Sequence, residues 1–245
     1  MELWEDQGVV LGVRSHGESG AVVWVLTHGR GVQTGYVRGA QGSRMRGTLE
    51  IGNRVDVRWQ ARDEESLGSF TLELASNPSA AFLDDRLKLS ALQSACALCK
   101  EALPEREVHA GVYDGLLALF ETMQDDIWRE AYVFWEIALL RELGFFLDLR
   151  SCAGGGDSNS LAYVSPKTGR AVSLMEGEPY KGKLLGLPRF LGGVHFTDET
   201  SDVALGLGLT GYFLAHWVFN HHSRGVPEER VRFESRFVKA LEGAV

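Results

Sequence analysis

Up to Ala75 the apolar positions come in short β-branched or aromatic runs, each closed by turn residues. Val9-Val10-Leu11-Gly12-Val13, Ala21 to Leu26 and Val32 to Val37 are such runs. Ser15 to Gly20 and Gly29-Arg30-Gly31 separate them. Val55-Asp56-Val57-Arg58-Trp59 alternates apolar and polar with period two, as a half-buried strand does, and Ser69 to Leu74 repeats the pattern. Five strands with no helix-length pattern between them predict a small closed or nearly closed barrel.

The period changes at Asn77-Pro78, because proline cannot continue a central strand and Ser79 can cap a following helix. Helical spacing then links Phe82, Leu83, Leu87, Leu89, Leu92 and Leu98, and returns over Val112 to Phe120 and Trp128 to Leu143. Asp125 or Asp126 is the expected cap of the third helix, and Gly144 sits where a C-terminal glycine belongs. Ser151 to Ser160 is a loop by composition, and Leu161 to Ser173 reads as a hairpin turning at Pro166 to Gly169. Two more helices are expected, about Thr200 to His222 and Glu228 to Leu241. The fold class is therefore α+β. A five-stranded barrel over 1–78 precedes a helical domain over 79–245, which carries a small β-hairpin insert at about 151–192.

Charge adds a location. The formal net charge is -8, yet from His28 to Arg62 seven arginines (30, 38, 44, 46, 54, 58, 62) face two carboxylates, Glu50 and Asp56. No lysine precedes Lys88. An arginine-only basic region in an acidic chain points to a polyanion, since guanidinium forks grip phosphate bidentately and stack on bases. The focus is Arg38-Gly39-Ala40-Gln41-Gly42-Ser43-Arg44-Met45-Arg46, read as a glycine-rich loop. Trp24, Tyr36 and Trp59 lie close in sequence and are candidates for base stacking or for barrel core.

Other chemistry finds little support. Cys96 and Cys99 sit at i, i+3 on a leucine-rich helix without a second pair, and Cys152 is alone, so no zinc ribbon and no disulfide framework is expected. Gly206-Leu207-Gly208-Leu209-Thr210-Gly211 matches the dinucleotide-binding glycine pattern, but no strand follows to complete a βαβ unit. His216, His221 and His222 lack the spacing of a helical zinc site. Val203 to Asn220 carries no formal charge, but its glycines and flanking polar residues favour a buried helix over a membrane span. The acidic N-terminus lacks the basic and apolar regions of a signal peptide, and few cysteines suggest a reducing compartment.

The residues also resemble a family, the bacterial recombination mediators of the RecO type. In the barrel the likeness rests on Gly8-Val9-Val10-Leu11, His16-Gly17-Glu18-Ser19, Leu26-Thr27 before Gly31, and Arg38-Gly39-Ala40 with Leu49 beyond. In the helical part it rests on Trp135-Glu136, Leu140, Leu143-Gly144, Leu147-Asp148-Leu149 and Cys152-Ala153, together with the 161–173 hairpin. The resemblance implies an OB-fold barrel, a zinc-finger-like insert and a non-enzymatic, cytoplasmic and nucleoid-associated role in recombinational repair. Implied partners are single- and double-stranded DNA, RecR and the acidic C-terminal tail of single-strand-binding protein. One branch of the family has four zinc-binding cysteines in the insert. Only Cys152 remains of that set here, with Gly155 and Ser173 at two other positions, so no zinc and no cofactor is expected.

The candidate DNA-contacting residues are Arg14, Arg30, Arg38, Arg44, Arg46, Arg54, Arg58 and Tyr36. Candidates for the partner tail are Arg129, Trp135 and Arg141. No catalytic residue is expected. The competing readings are an adaptor that ignores DNA and a cofactor enzyme built on Gly206 to Gly211.

Overall fold

The computed structural model describes residues 2–63, 66–194 and 198–242. Two compact units emerge, Met1–Phe120 with Pro227–Phe233 and Glu121–Val226 with Glu234–Val245.

In the first unit, strands β1 (Glu2–His16), β2 (Gly20–Thr27) and β3 (Gly31–Val37) form antiparallel pairs. A short helix α1 (Ser43–Thr48) follows, then β4 (Arg54–Ala61) and β5 (Ser69–Ser76). The five strands close into a barrel in the order β1-β2-β3-β5-β4. The inward residues alternate as a pleated strand requires: Ala21, Val23 and Val25 from β2, Val55, Val57 and Trp59 from β4, Phe70 and Leu72 from β5. Val9, Leu11, Val22, Leu26 and Val32 are buried as well. Val9, Leu11, Val22 and Leu26 belong to β1 and β2, on which α2 (Arg86–Ala102) packs.

β1 is longer than its apolar run. Residues 2–7 are polar apart from Leu3 and Trp4, yet all of them pair with β4, from Glu2↔Ala61 to Gln7↔Asp56, and this pairing closes the barrel. The glycine-rich loop expected over Arg38 to Arg46 is partly helical. Met45 and Leu49 pack into the barrel core with Ala40, and Thr48 is buried, so the i, i+3, i+4 face of α1 seals one end of the barrel. Helix entry also differs from expectation. Asp85 caps α2, accepting from the N–H groups of Leu87 and Lys88 at 3.0 Å each, while Ser79 is buried and donates to Asn77 Oδ1 at 2.7 Å. Helix α3 (Ala110–Thr122) follows.

In the second unit, α4 (Trp128–Glu142) begins at Ile127 without a side-chain cap, so neither Asp125 nor Asp126 fills that role. Its end is as expected: Gly144 has φ +88° and donates to Arg141 O at 3.0 Å, and Phe145 N–H returns to Leu140 O at 2.8 Å. The insert holds β6 (Leu161–Val164), β7 (Ala171–Ser173), a single turn α5 (Leu174–Gly177) and β8 (Leu185–Gly186), in the sheet order β7-β6-β8. Helix α6 (Glu199–Phe213) packs on α4, where the Thr210 hydroxyl donates to the buried carboxylate of Glu136 at 2.5 Å. Helix α7 (Glu228–Glu242) closes the described chain. Among the described residues no helix is long and apolar enough to cross a membrane.

Candidate nucleic-acid interface

The barrel sorts the basic candidates into two groups. Arg14, Tyr36 and Arg38 belong to the end where β1 turns into β2 and β3 leads into α1. Gln41 ties this corner together, its N–H donating to Ser19 O at 3.3 Å and its amide to Ser15 Oγ at 3.4 Å. From there the chain enters α1, whose Arg44 and Arg46 are exposed while Met45 between them turns inward. The helix is held from below. Asn53 is fully buried, and its side-chain amide donates to Gly47 O at 2.7 Å and Thr48 O at 3.2 Å. Among the described residues, Arg38, Arg44 and Arg46 have no carboxylate within ion-pair distance.

The second group is already engaged. Arg58 reaches Glu5 across the β1–β4 pair, with Nη2 2.6 Å and Nε 2.7 Å from the same carboxylate oxygen. Arg30 lies 5.1 Å over the ring of Trp4, in a turn pinned by Asp6, which accepts from Gly29 N–H at 2.9 Å. Arg54 is half-buried beside the Tyr113 hydroxyl. Burial raises the pKa of that phenol, and the neighbouring guanidinium partly opposes the rise. Arg62 pairs with Asp63 at 3.1 Å. Asp63 is half-exposed, and hydrogen bonds from Ser66 and Arg62 hold its carboxyl below the ordinary value.

The aromatic residues divide by strand parity. Trp59 points into the core and stacks on Trp4 at 5.5 Å. Trp24 and Tyr36 point outward and are partly exposed. Arg14 lies 5.6 Å from the Trp24 ring centre and Lys100, from the last turn of α2, 4.6 Å. Lys100 carries no sequence signal, and only the packing of α2 on β1 brings it to this face.

On α4, Trp135 is 6% exposed, so its ring belongs to the core rather than to a ligand surface. Arg141 is exposed and lies 6.0 Å from the Phe146 ring, whereas Arg129 lies 5.4 Å over Trp128 and on a different face of the helix. The exposed apolar residue on the Arg141 side is Phe134, seven positions earlier and 50% exposed. It meets Phe190 edge-on at 5.7 Å.

The insert does not fit zinc. Cys152 supplies its single thiol, and among the described residues no group of three His, Cys, Asp or Glu is placed to hold a metal. Hydrogen bonds occupy the place instead: Ser173 N–H donates to Cys152 Sγ at 3.2 Å, and the thiol lies 3.5 Å from Ser173 Oγ. The glycine run at 206–211 lies inside α6, not at a strand-to-helix turn, and so cannot cradle a pyrophosphate. Gly206 instead permits close packing, since a Cβ there would meet Phe190 at 2.9 Å and Val133 at 3.2 Å. His216 stacks on Tyr212 at 3.9 Å and bonds its carbonyl oxygen at 2.8 Å.

A two-part α+β protein, with a barrel that carries exposed arginines 38, 44 and 46 at one end, is the class that these features define. Comparison with known proteins gives the family. Residues 1–77 match the model of the recombination protein O N terminal domain and residues 83–224 that of the recombination protein O C terminal domain. The chain is 51% identical to the DNA repair protein RecO of Rhodospirillum centenum over 97% of its own length and 95% of that protein. It is 46% identical to the DNA repair protein RecO of Caulobacter vibrioides strain NA1000 / CB15N, covering 97% and 98%. The chain belongs to the RecO family.

Proposed function

We propose that this chain is a DNA-binding mediator of recombinational repair that works without catalysing a covalent reaction. In this reading residues 1–78 form the DNA-binding domain. The bound strands are annealed there, and together with RecR the protein helps to load RecA onto single strands coated by single-strand-binding protein. The observation that carries the reading is the set of exposed arginines 38, 44 and 46, which have no carboxylate partner among the described residues although the chain as a whole is acidic. Family membership supports the repair role.

The physics of annealing asks little more than such a surface. Two strands repel through their phosphates, and guanidinium groups that neutralise both at once lower that repulsion without nucleotide hydrolysis. Arg14 and Tyr36 extend the same surface. Arg30 and Arg58 take a secondary part because each already has a partner, and Arg54 because it is half-buried. For the acidic tail of single-strand-binding protein, Arg141 with exposed Phe134 offers a cation beside an apolar contact, while Arg129 is the alternative cation.

The test is annealing of complementary oligonucleotides by the purified full chain without nucleotide. Acceleration that fades as salt rises supports the reading. No acceleration and no DNA binding at low salt would leave the adaptor role in its place.

A further inference from the structure

The outer face of β1, β2 and β3 carries a feature that phosphate binding alone leaves unused. Outward positions are Gly12, Arg14 and His16 on β1, Gly20, Val22 and Trp24 on β2, and Thr34 and Tyr36 on β3. The register sets Gly12 beside Trp24 and Trp24 beside Thr34, then Arg14 beside Val22 and Val22 beside Tyr36. Trp24 and Tyr36 are therefore diagonal neighbours on adjacent strands, a spacing of about 7–8 Å.

Two glycines keep this face low. A Cβ at Gly20 would lie 2.0 Å from the Tyr36 hydroxyl, so the phenol lies across the start of β2 where no side chain stands. A Cβ at Gly12 would lie 2.8 Å from Cδ of Lys100, so the lysine stem crosses β1 to place its ammonium 4.6 Å over Trp24. His16 meets the Tyr36 ring edge-on at 6.1 Å. Both aromatic rings are partly exposed and flanked by cations, Lys100 and Arg14 at Trp24 and Arg38 just beyond Tyr36. Two carboxylates near this face are engaged. Glu101 pairs with Lys100 at 2.6 Å, and Glu105 accepts from the Thr34 hydroxyl at 2.6 Å.

We propose that Trp24 and Tyr36 form a stacking platform for unpaired bases, with Lys100 of α2 and Arg14 holding the adjoining phosphates, so that this face selects single-stranded over double-stranded DNA. The inference rests on the DNA-binding reading and adds to it the form of DNA bound. A base has a π-face that an aromatic ring can take only when the base is unpaired at an end or unstacked, which a duplex interior denies. Arg14, 5.6 Å from the indole centre, is the looser of the two cations and can swing to a phosphate as a base arrives. Charge complementarity favours a nucleic acid here, because phosphate can replace Glu101 at Lys100 while the rings take the bases.

The experiment compares the full chain's affinity for a thymidylate oligomer, an abasic strand of the same length and a duplex, by fluorescence anisotropy, with polyglutamate as competitor. The unmodified protein should prefer the thymidylate oligomer to the abasic strand by about 5- to 150-fold, the span expected for stacking one base. Trp24→Leu and Tyr36→Leu should each shrink that ratio, and Lys100→Gln should lower the salt slope by about 0.7. Melting curves check that each variant folds, and the abasic comparison needs no variant. Equal affinity for the two strands, or a ratio that survives both substitutions, overturns the platform while leaving DNA binding intact. Polyglutamate competing as well as the oligomer also overturns it, because the face then reads charge alone. No binding to any strand at low salt overturns the DNA-binding reading and the platform with it.

Discussion

The side-chain amide of Asn53 donates to the carbonyl oxygen of Gly47 at 2.7 Å, and through this bond a fully buried residue at the head of β4 holds the last turn of the arginine-bearing helix. The carbonyls that end a helix need donors, and α1 is too short to be stable by propensity. Asn53→Ala should therefore lower stability by about 1–3 kcal/mol, the cost of leaving buried acceptors unmet. It should also weaken DNA binding although no cation is lost. Urea denaturation together with an affinity measurement checks both effects.

Arg58 and Glu5 form an exposed pair, with side chains 58% and 63% accessible. Such pairs contribute roughly 0–1 kcal/mol. Arg58→Ala is expected to change stability within that range and to weaken DNA binding less than Arg44→Ala does, because Glu5 already balances the charge. Glu5→Gln should strengthen binding by releasing Arg58. Paired titrations at one salt concentration decide the matter.

Cys152 is subject to opposing influences. Burial pushes its thiol up, while hydrogen bonds from the Ser173 hydroxyl and from the N–H groups of Ser173, Gly154 and Gly156 bring it below the ordinary value. Cys96 and Cys99 are fully buried, and burial drives both thiols upward. Iodoacetamide should therefore modify Cys152 ahead of the other two in the native protein, as read by mass spectrometry. Because the native pKa lies below the unfolded one, the thiolate's contribution to stability is complete above the unfolded pKa and disappears as pH falls through the native value. Ser173→Ala should accordingly cost more in melting temperature at alkaline than at neutral pH. Elemental analysis should find well under one zinc per chain, since four ligands are needed.

The barrel was legible because each of its five strands contains an apolar run or a period-two pattern. The first turns of β1 were not, because Glu2, Glu5 and Asp6 look like a charged tail until β4 pairs with them. Met45, Thr48 and Leu49 did carry a helical i, i+3, i+4 signal, but the surrounding glycines hid it. The basic region was visible as a sum of charges. The division of that sum was not, because Glu5, Trp4 and Tyr113 reach Arg58, Arg30 and Arg54 from distant parts of the chain. Strand parity could have separated inward Trp59 from outward Trp24, whereas Lys100 became a candidate only through the packing of α2. Trp135, a candidate contact for the partner tail, is 6% exposed and packs in the core.

The account depends most on Arg44 and Arg46, and the salt dependence of DNA binding by the double variant Arg44→Ala, Arg46→Ala tests it most directly. Both side chains are exposed, so their loss should alter stability by less than about 0.5 kcal/mol. If each displaces one counterion condensed on single-stranded DNA, the slope of log affinity against log salt should flatten by roughly 1.4. The weakening should be the same for unrelated sequences, since phosphates carry no base information. A flattened slope with an unchanged circular dichroism spectrum is the predicted result. An unchanged slope in a folded variant would contradict the assignment of the DNA path to this end of the barrel.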